Sequence, residues 1–329
     1  MNAGSSVLPA DLIQFHRKLS RWYKKHGRHE LPWRNTCDPY AIYVSEVMLQ
    51  QTQVKTVLER YYQPFLNRFP TLASLAKASE KDVLSAWQGL GYYRRAKNLH
   101  QTAKLSPKSL PNRIEALEEM PGIGKNTAHA IAAFAYHQPV AVMEANVKRV
   151  ISRLYALKQP STSELWRKAS ALVDQKNPFD YNQAMMDLGS MICTPKEPQC
   201  HVCPANDFCQ GQTAPQRYPE PIKKASVPTR KKTIIVYRNK FGAFYAAPRE
   251  SAFLSGLYHF VEHDKKPTNL THKLGIVRQK YSHFTLDADV YLIDGDGRSG
   301  ENWHSLRTLK SLPVSKAEEK IITMLEKLS

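Results

Sequence analysis

Cys193, Cys200, Cys203 and Cys209 are four of the chain's five cysteines and lie within seventeen residues, spaced C-x6-C-x2-C-x5-C. Thiols that close together chelate a metal centre where they stay reduced and pair as disulfides where they do not. At 329 residues the chain is far longer than the scaffolds that rely on disulfides, and its start MNAGSSVLPADLIQ lacks the basic opening and apolar stretch of a signal peptide. Tetrahedral zinc accepts four sulfurs, but its sites usually bring two close pairs, and only Cys200 and Cys203 form one here. A [4Fe-4S] cubane binds its thiolates on separate irons and suits one tight pair between wider arms. Spacing therefore favours the iron–sulfur cluster, with zinc as the rival metal. Cys37, the fifth cysteine, reads as a plain thiol.

A second chemical group is a carboxylate. Glu46 sits in Ser45-Glu46-Val47-Met48-Leu49-Gln50-Gln51, with Gln50 and Gln53 expected on its face at i+4 and i+7 of one helix. The apolar neighbours would raise the pKa of a carboxyl facing a closed pocket, making it an acid near neutral pH. A third group is backbone. Met120-Pro121-Gly122-Ile123-Gly124-Lys125 precedes the Ala-rich run AHAIAAFA. Two glycines there let the chain turn with its N–H groups outward at a helix start, which is an anion site fit for a phosphate.

These groups need elements to hold them. Apolar spacing near 3.6 predicts helices from about Ser20 to Leu188. One runs from about Tyr40 on through Val47, Val54, Leu58, Tyr61 and Phe65, one spans Asn126–Tyr136 and one Asn146–Leu157. A helix-hairpin-helix over about 114–136 grips a DNA backbone without reading its sequence. Between 212 and 231, prolines alternate with Arg217, Lys223, Lys224, Arg230 and Lys231, which reads as an extended basic linker. Beyond it, Thr233–Tyr237, Phe244–Ala247 and Asp289–Ile293 read as strands and Ser315–Leu328 as a helix, a separate α+β domain. The division expected is a helical domain over 1–211 with its metal loop at 193–209, the linker 212–231, and a second domain over 232–329.

Lys plus Arg number 47 against 29 Asp plus Glu, a net charge of +18 that calls for a polyanionic partner. No apolar run reaches the roughly 18–20 residues of a membrane span. A cytoplasmic, nucleoid-associated monomer acting on double-stranded DNA is expected, with no membrane.

A helix-hairpin-helix followed by C-x6-C-x2-C-x5-C resembles the endonuclease III superfamily of DNA glycosylases. Leu31–Arg34 (LPWR), Ser45–Val54, Gly89–Ala96 (GLGYYRRA), Tyr181–Gly189 (YNQAMMDLG) and Cys193–Pro195 are similar to its adenine DNA glycosylase (MutY) branch. The resemblance implies a mainly α helix-hairpin-helix glycosylase domain with an Fe–S loop, followed by an α+β Nudix-like domain. It implies removal of adenine mispaired with 8-oxoguanine or guanine, using a [4Fe-4S] cluster on Cys193, Cys200, Cys203 and Cys209. Glu46 matches the acid that protonates the leaving adenine. The family's ionised partner is the aspartate of L-D-G-N-V, whereas this chain has Glu144 and Ala145 before the retained Asn146. The charge survives one methylene further out. Asn126 stands where bifunctional members carry a nucleophilic lysine, so hydrolysis without strand cleavage is implied.

Trp33, Arg34, Leu49 and Gln183 match positions lining the adenine pocket, and Gln51 and Tyr93 match wedge residues that fill the gap left by an extruded base. Gly122, Ile123, Gly124 and Lys125 match the phosphate-gripping hairpin. In the second domain, Leu254–Phe260 is similar to the family's LxGLWEF segment and Tyr281-Ser282-His283-Phe284 to its FSHF loop, with Tyr281 in place of Phe. Ser282 and His283 would then recognise 8-oxoguanine. Two other readings stay open: a related glycosylase acting on another base, such as thymine opposite guanine, and a catalytically weak lesion-binding protein in which Glu144 replaces the aspartate.

Overall fold

The helix Pro39–Leu49 is apolar on nearly every side, and eight of its eleven residues are buried. A helix of that kind belongs in a core rather than at a surface. Asp38 caps its start by accepting the Tyr40 N–H, and Pro39 sits where no donor is needed. The computed structural model describes residues 9–221, 226–251, 253–268, 270, 272–295 and 300–328.

The contacts divide the chain into two compact units. The first comprises Met1–Leu58, Thr71–Ala73 and Thr102–Lys223. The second comprises Glu59–Pro70, Ser74–Gln101 and Lys224–Ser329, so two helical stretches that precede residue 211 group with the C-terminal part.

In the first unit, Pro39–Leu49 lies beside Lys125–Ala135, where seven buried residues, four of them alanines, permit close approach. The Tyr43 hydroxyl bonds Thr102, which in turn bonds the Pro121 carbonyl at the hairpin. A second core joins Phe15, Leu19 and Tyr23 of Pro9–His26 to Val147, Val150 and Ile151 of Ala145–Leu154 and to Ala184 and Met185 of Pro178–Asp187. Cys193, Cys203 and Cys209 pack against it.

The single long helix expected from Tyr40 onward is broken. It ends at Leu49, Gln51 takes a left-handed φ of 57°, and separate helices cover Val54–Arg60 and Tyr62–Arg68. Gln53, beyond the break, therefore does not continue Glu46's helical face, while Gln50 caps the helix end. Apolar periodicity continued across the break because both sides face a core, and that pattern does not record a change of direction.

The second unit carries a six-stranded sheet in the order Thr285–Asp294 beside Thr229–Arg238 beside Phe244–Tyr245, with His272–Lys280 outermost against Thr285–Asp294. The two long central strands run parallel, from Thr229 against Thr285 to Arg238 against Asp294. Ile234 and Val236 join Val290 and Leu292 under Ile321 and Leu325 of the helix Lys316–Glu326. The strand opens at Thr229, so Arg230 and Lys231, expected in the linker, are strand residues. Lys223 and Lys224 lie outside the described residues.

Candidate active site and cysteine loop

Glu46 is the one charged residue of the apolar helix Pro39–Leu49. It is half-buried. Burial raises its carboxyl to about 7, the nearby charge of Glu144 adds to the rise, and Arg34 opposes it. A carboxyl poised there holds a proton at neutral pH and can give it up.

Glu144 is the N-cap of Ala145–Leu154. Its Oε1 accepts from the Val147 N–H at 3.3 Å, and its Oε2 accepts from Asn146 Nδ2 at 3.2 Å. A helix start favours a negative charge at that place. The segment leading into it is clamped from two sides. Asn126 Oδ1 accepts from the Met143 N–H at 2.7 Å, and Asn182 Oδ1 accepts from the Val142 N–H at 2.8 Å. Asn182 also donates to the Val140 and Pro178 carbonyls, so this buried amide spends both ends on backbone. Asn126 thus supplies no amine. Its side chain holds the extended segment that delivers Glu144.

Asn146 is held in turn. Its Oδ1 accepts from Arg149 Nη2 at 2.8 Å, and the same guanidinium donates to the Gly189 carbonyl at 2.6 Å and the Cys193 carbonyl at 2.8 Å. Gly189 is the close-approach residue: a Cβ there would stand 2.7 Å from Asn146 Cβ. One arginine therefore spans the path from the carboxylate loop to the first cysteine.

Trp33 and Gln183 are buried, and Leu49 is half-buried at the end of Glu46's helix. Arg34 departs from a simple pocket-lining role. It is 7% exposed, and its terminal nitrogens make a two-point pair with Asp187 at 2.7 and 2.8 Å. Arg28 completes the set with Nε 2.7 Å from Asp187. Burial alone would raise the Asp187 carboxyl, but the hydrogen bonds and charges of Arg34 and Arg28 outweigh it and hold it below the usual range. Arg34 Nε has no hydrogen-bond partner among the described residues.

At the hairpin, Gly122 has φ 74° and Gly124 caps Lys125–Ala135 without a side-chain bond to the first turn. Gly122, Gly124 and Lys125 are exposed, whereas Ile123 is 3% exposed and points into the core. Ile123 can offer a phosphate only its backbone. The Lys125 ammonium lies 4.5 Å from the centre of the Trp166 ring.

Gln51 is exposed at the helix break. Tyr93 is not. It is 5% exposed and its hydroxyl is hydrogen-bonded on both sides, so its ring has no face to insert into DNA. The exposed ring of that pair is Tyr92, 44% exposed with φ 51°. Tyr93, expected to be the wedge, is thus the buried one of two adjacent tyrosines, and only packing separates them. Ser282 and His283 are exposed in the turn between the strands His272–Lys280 and Thr285–Asp294, with Ser282 Oγ 3.2 Å from His283 Nδ1. Phe253 stands edge-on to both Tyr281 and His283.

The four clustered cysteines line one small cavity, together with Arg153, Ile192 and Asn206. Arg153 Nη1 lies 3.3 Å from Cys193 Sγ and donates to the Cys193 and Thr194 carbonyls, while Nη2 donates to the Pro195 carbonyl and Nε to the Pro215 and Tyr218 carbonyls. Burial raises Cys203 to about 12 and Cys209 to about 11, and the neighbouring cysteines add to both. Such thiols ionise when a cationic centre offsets that repulsion, so the donor set fits a thiophilic metal group. Among the described residues no three His, Cys, Asp or Glu side chains meet around a single ion. Sequence reasoning missed Arg149, Arg153, Asn182 and Asp187. Asn182 and Asp187 lay inside a motif it had noted, but their partners are 40 or more residues away.

The family described as "HhH-GPD superfamily base excision DNA repair protein" matches residues 44–175. An adenine DNA glycosylase of Buchnera aphidicola from Schizaphis graminum is 30% identical over 94% of this chain and 97% of its own length. The adenine DNA glycosylase of Mus musculus is 41% identical over 63% of this chain, which spans 44% of the mouse protein. Among solved structures, a thermostable thymine-DNA glycosylase superposes with a TM-score of 0.58 at 25% identity, covering 63% of this chain and 99% of that one.

Proposed function

The chain belongs to the adenine DNA glycosylases, and from that premise we propose that it excises adenine opposite 8-oxoguanine or guanine and leaves the strand intact. It is a base-excision repair enzyme whose partner is DNA. The observation that carries the mechanism is Glu46, a carboxyl raised to about 7 in the presence of a second carboxylate, Glu144. A carboxyl raised in this way can act as an acid near neutral pH.

In this reading Glu46 donates its proton to the adenine ring, so the base leaves neutral. The sugar becomes oxocarbenium-like, and the Glu144 carboxylate, fixed by Asn146 and the Val147 N–H, stabilises it until water attacks. Trp33, Leu49 and Gln183 enclose the base, together with Arg34, whose Nε has no hydrogen-bond partner among the described residues. Gln51 and Tyr92 are the exposed side chains that fill the duplex. Gly122, Gly124, Lys125 and the Ile123 backbone hold a phosphate. Ser282 and His283 read the opposite base.

Cys193, Cys200, Cys203 and Cys209 would hold a [4Fe-4S] cluster, which would supply a covalent crosslink for the loop. One tight pair, Cys200 and Cys203, between wider arms suits separate irons better than a single zinc. Cysteines that hold such a cluster must stay reduced, which suits a reducing, cytoplasmic setting.

The test is single-turnover excision on duplexes carrying A opposite 8-oxoguanine, A opposite G, and T opposite G, with alkali to reveal abasic sites. The reading expects product from the first two only, and none without alkali. Thymine release, as the name of the solved relative suggests for that protein, would overturn it. Iron analysis of the same preparation should give about four irons per chain, as a cubane requires.

A further inference from the structure

Two neighbouring tyrosines in the second unit have opposite fates. Tyr92 projects with a left-handed backbone, and Tyr93 is buried with its hydroxyl used twice. That hydroxyl accepts from the Gly89 N–H at 3.2 Å and donates to the Val314 carbonyl at 3.0 Å. Gly89 itself has φ 88°, and a Cβ there would stand 2.5 Å from the Tyr61 hydroxyl, so the turn Gly89–Tyr93 is closely held.

Val314 belongs to a short extended segment. It bridges Tyr258, whose N–H bonds the Pro313 carbonyl at 2.8 Å. The next residue, Ser315, caps the helix Lys316–Glu326 and bonds the buried Glu318 carboxylate. Its hydroxyl is also 3.3 Å from that of Tyr281. Tyr281 opens the turn that carries Ser282 and His283, and its N–H closes that turn on the Phe284 carbonyl at 2.8 Å.

We propose that Tyr93 and Tyr281 are positioning residues, joined through Val314 and Ser315, that couple the turn presenting Tyr92 to the loop presenting Ser282 and His283. The inference rests on the reading that Ser282 and His283 contact the base opposite adenine and that Tyr92 enters the duplex. Contact at the loop would then bias the seating of Tyr92 through a continuous polar path with buried members. The link depends on the Tyr281 hydroxyl, which the Phe of the loop it resembles would lack. Tyr281→Phe removes one hydroxyl and leaves an aromatic ring of the same shape. Tyr93→Phe removes the other end of the path, but it leaves the Gly89 N–H and the Val314 carbonyl without their partner and so lowers stability as well.

The experiment compares single-turnover rates on A opposite 8-oxoguanine and A opposite G, below the melting temperature of every variant. Tyr281→Phe and Tyr93→Phe should each lower the ratio of the two rates by roughly fivefold, the equivalent of one ordinary hydrogen bond. The rate on A opposite G should change little. The double variant Ser282→Ala/His283→Ala should lower the ratio too, and adding Tyr281→Phe to it should lower it no further, the mark of a shared path. If the Ser282/His283 variant loses the preference while both tyrosine variants keep it, the coupling is wrong and the recognition reading stands. If the Ser282/His283 variant keeps the preference, the recognition reading falls and the coupling falls with it. Equal slowing on both duplexes in Tyr93→Phe and no effect of Tyr281→Phe would reduce Tyr93 to a structural role and overturn the proposal.

Discussion

Glu46 is placed where a charge is costly, and this can be measured in two ways. Its carboxyl is raised to about 7 from an ordinary value of 4.5, so between those values the folded chain holds a proton that the unfolded chain releases. Stability contributed by that proton is present below 4.5, is lost as pH rises through about 7, and stays lost above. Glu46→Gln carries no charge to bury. Urea melts should show it more stable than the parent by on the order of 3 kcal/mol above pH 8, with the gain vanishing below pH 4.5. The same variant should lose excision while keeping DNA affinity, and the parent's rate should fall as pH rises past about 7. A Glu46→Gln enzyme of parental rate would remove it as the acid. Glu144 is the complementary case. Glu144→Gln deletes charge but keeps an oxygen for the Val147 N–H, and should cost on the order of 100- to 1000-fold in rate. Glu144→Asp keeps charge in a residue better suited to an N-cap and should be near neutral in single-turnover assays. Equal losses in the two would mean that shape, not charge, matters there.

At the scale of elements, the site depends on how closely two helical segments meet. The Leu188–Ile192 segment carries Gly189, and the start of Ala145–Leu154 carries Asn146. Their backbones approach so closely that a Cβ on Gly189 would lie 2.9 Å from the Asn146 carbonyl oxygen as well as against its Cβ. Neither contact can swing aside as a flexible side chain would. Gly189→Ala should therefore destabilise the fold by roughly 1–3 kcal/mol. It should also slow excision by displacing Asn146 and the Glu144 it supports, since shifts of about 1 Å can cost on the order of 100-fold. An alanine variant with parental melting and rate would show that this junction is softer than its geometry implies. The break after Leu49 matters in the same way. Ending the helix one turn past Glu46 lets the acid stay in the core while Gln51 reaches solvent.

For the whole molecule, the charge of +18 governs its meeting with DNA. Binding to duplex should weaken steeply with salt, because neutralised phosphates release counterions; with 6–10 contacts, affinity falls about 10³- to 10⁵-fold between 50 and 200 mM. Lys125→Ala should lower the slope of log affinity against log salt by about 1 and leave the choice of mispair unchanged. A slope unchanged in that variant would take Lys125 off the phosphate contact and leave the hairpin backbone to act alone. No helix among the described residues is long and apolar enough to cross a membrane.

What the sequence determined by itself is local chemistry. Cysteine spacing, two glycines before an Ala-rich helix, an acid inside an apolar run and a carboxylate two residues before Asn146 are readable because each depends on neighbours within a few positions. Helices 125–135 and 145–154 and the strands around Ile234 and Val290 fall where periodicity put them for the same reason. The tertiary structure decided everything that needs a distant partner. Asp187 meets Arg34 across 153 residues, Asn182 clamps Val142 across 40, and Arg153 reaches Cys193 across 40, with no local pattern to announce any of them. It also decided that Tyr92 is exposed and Tyr93 buried, and that residues 74–101 pack with the C-terminal sheet unit. Exposure is a property of what packs against a residue, and chain order does not say what will.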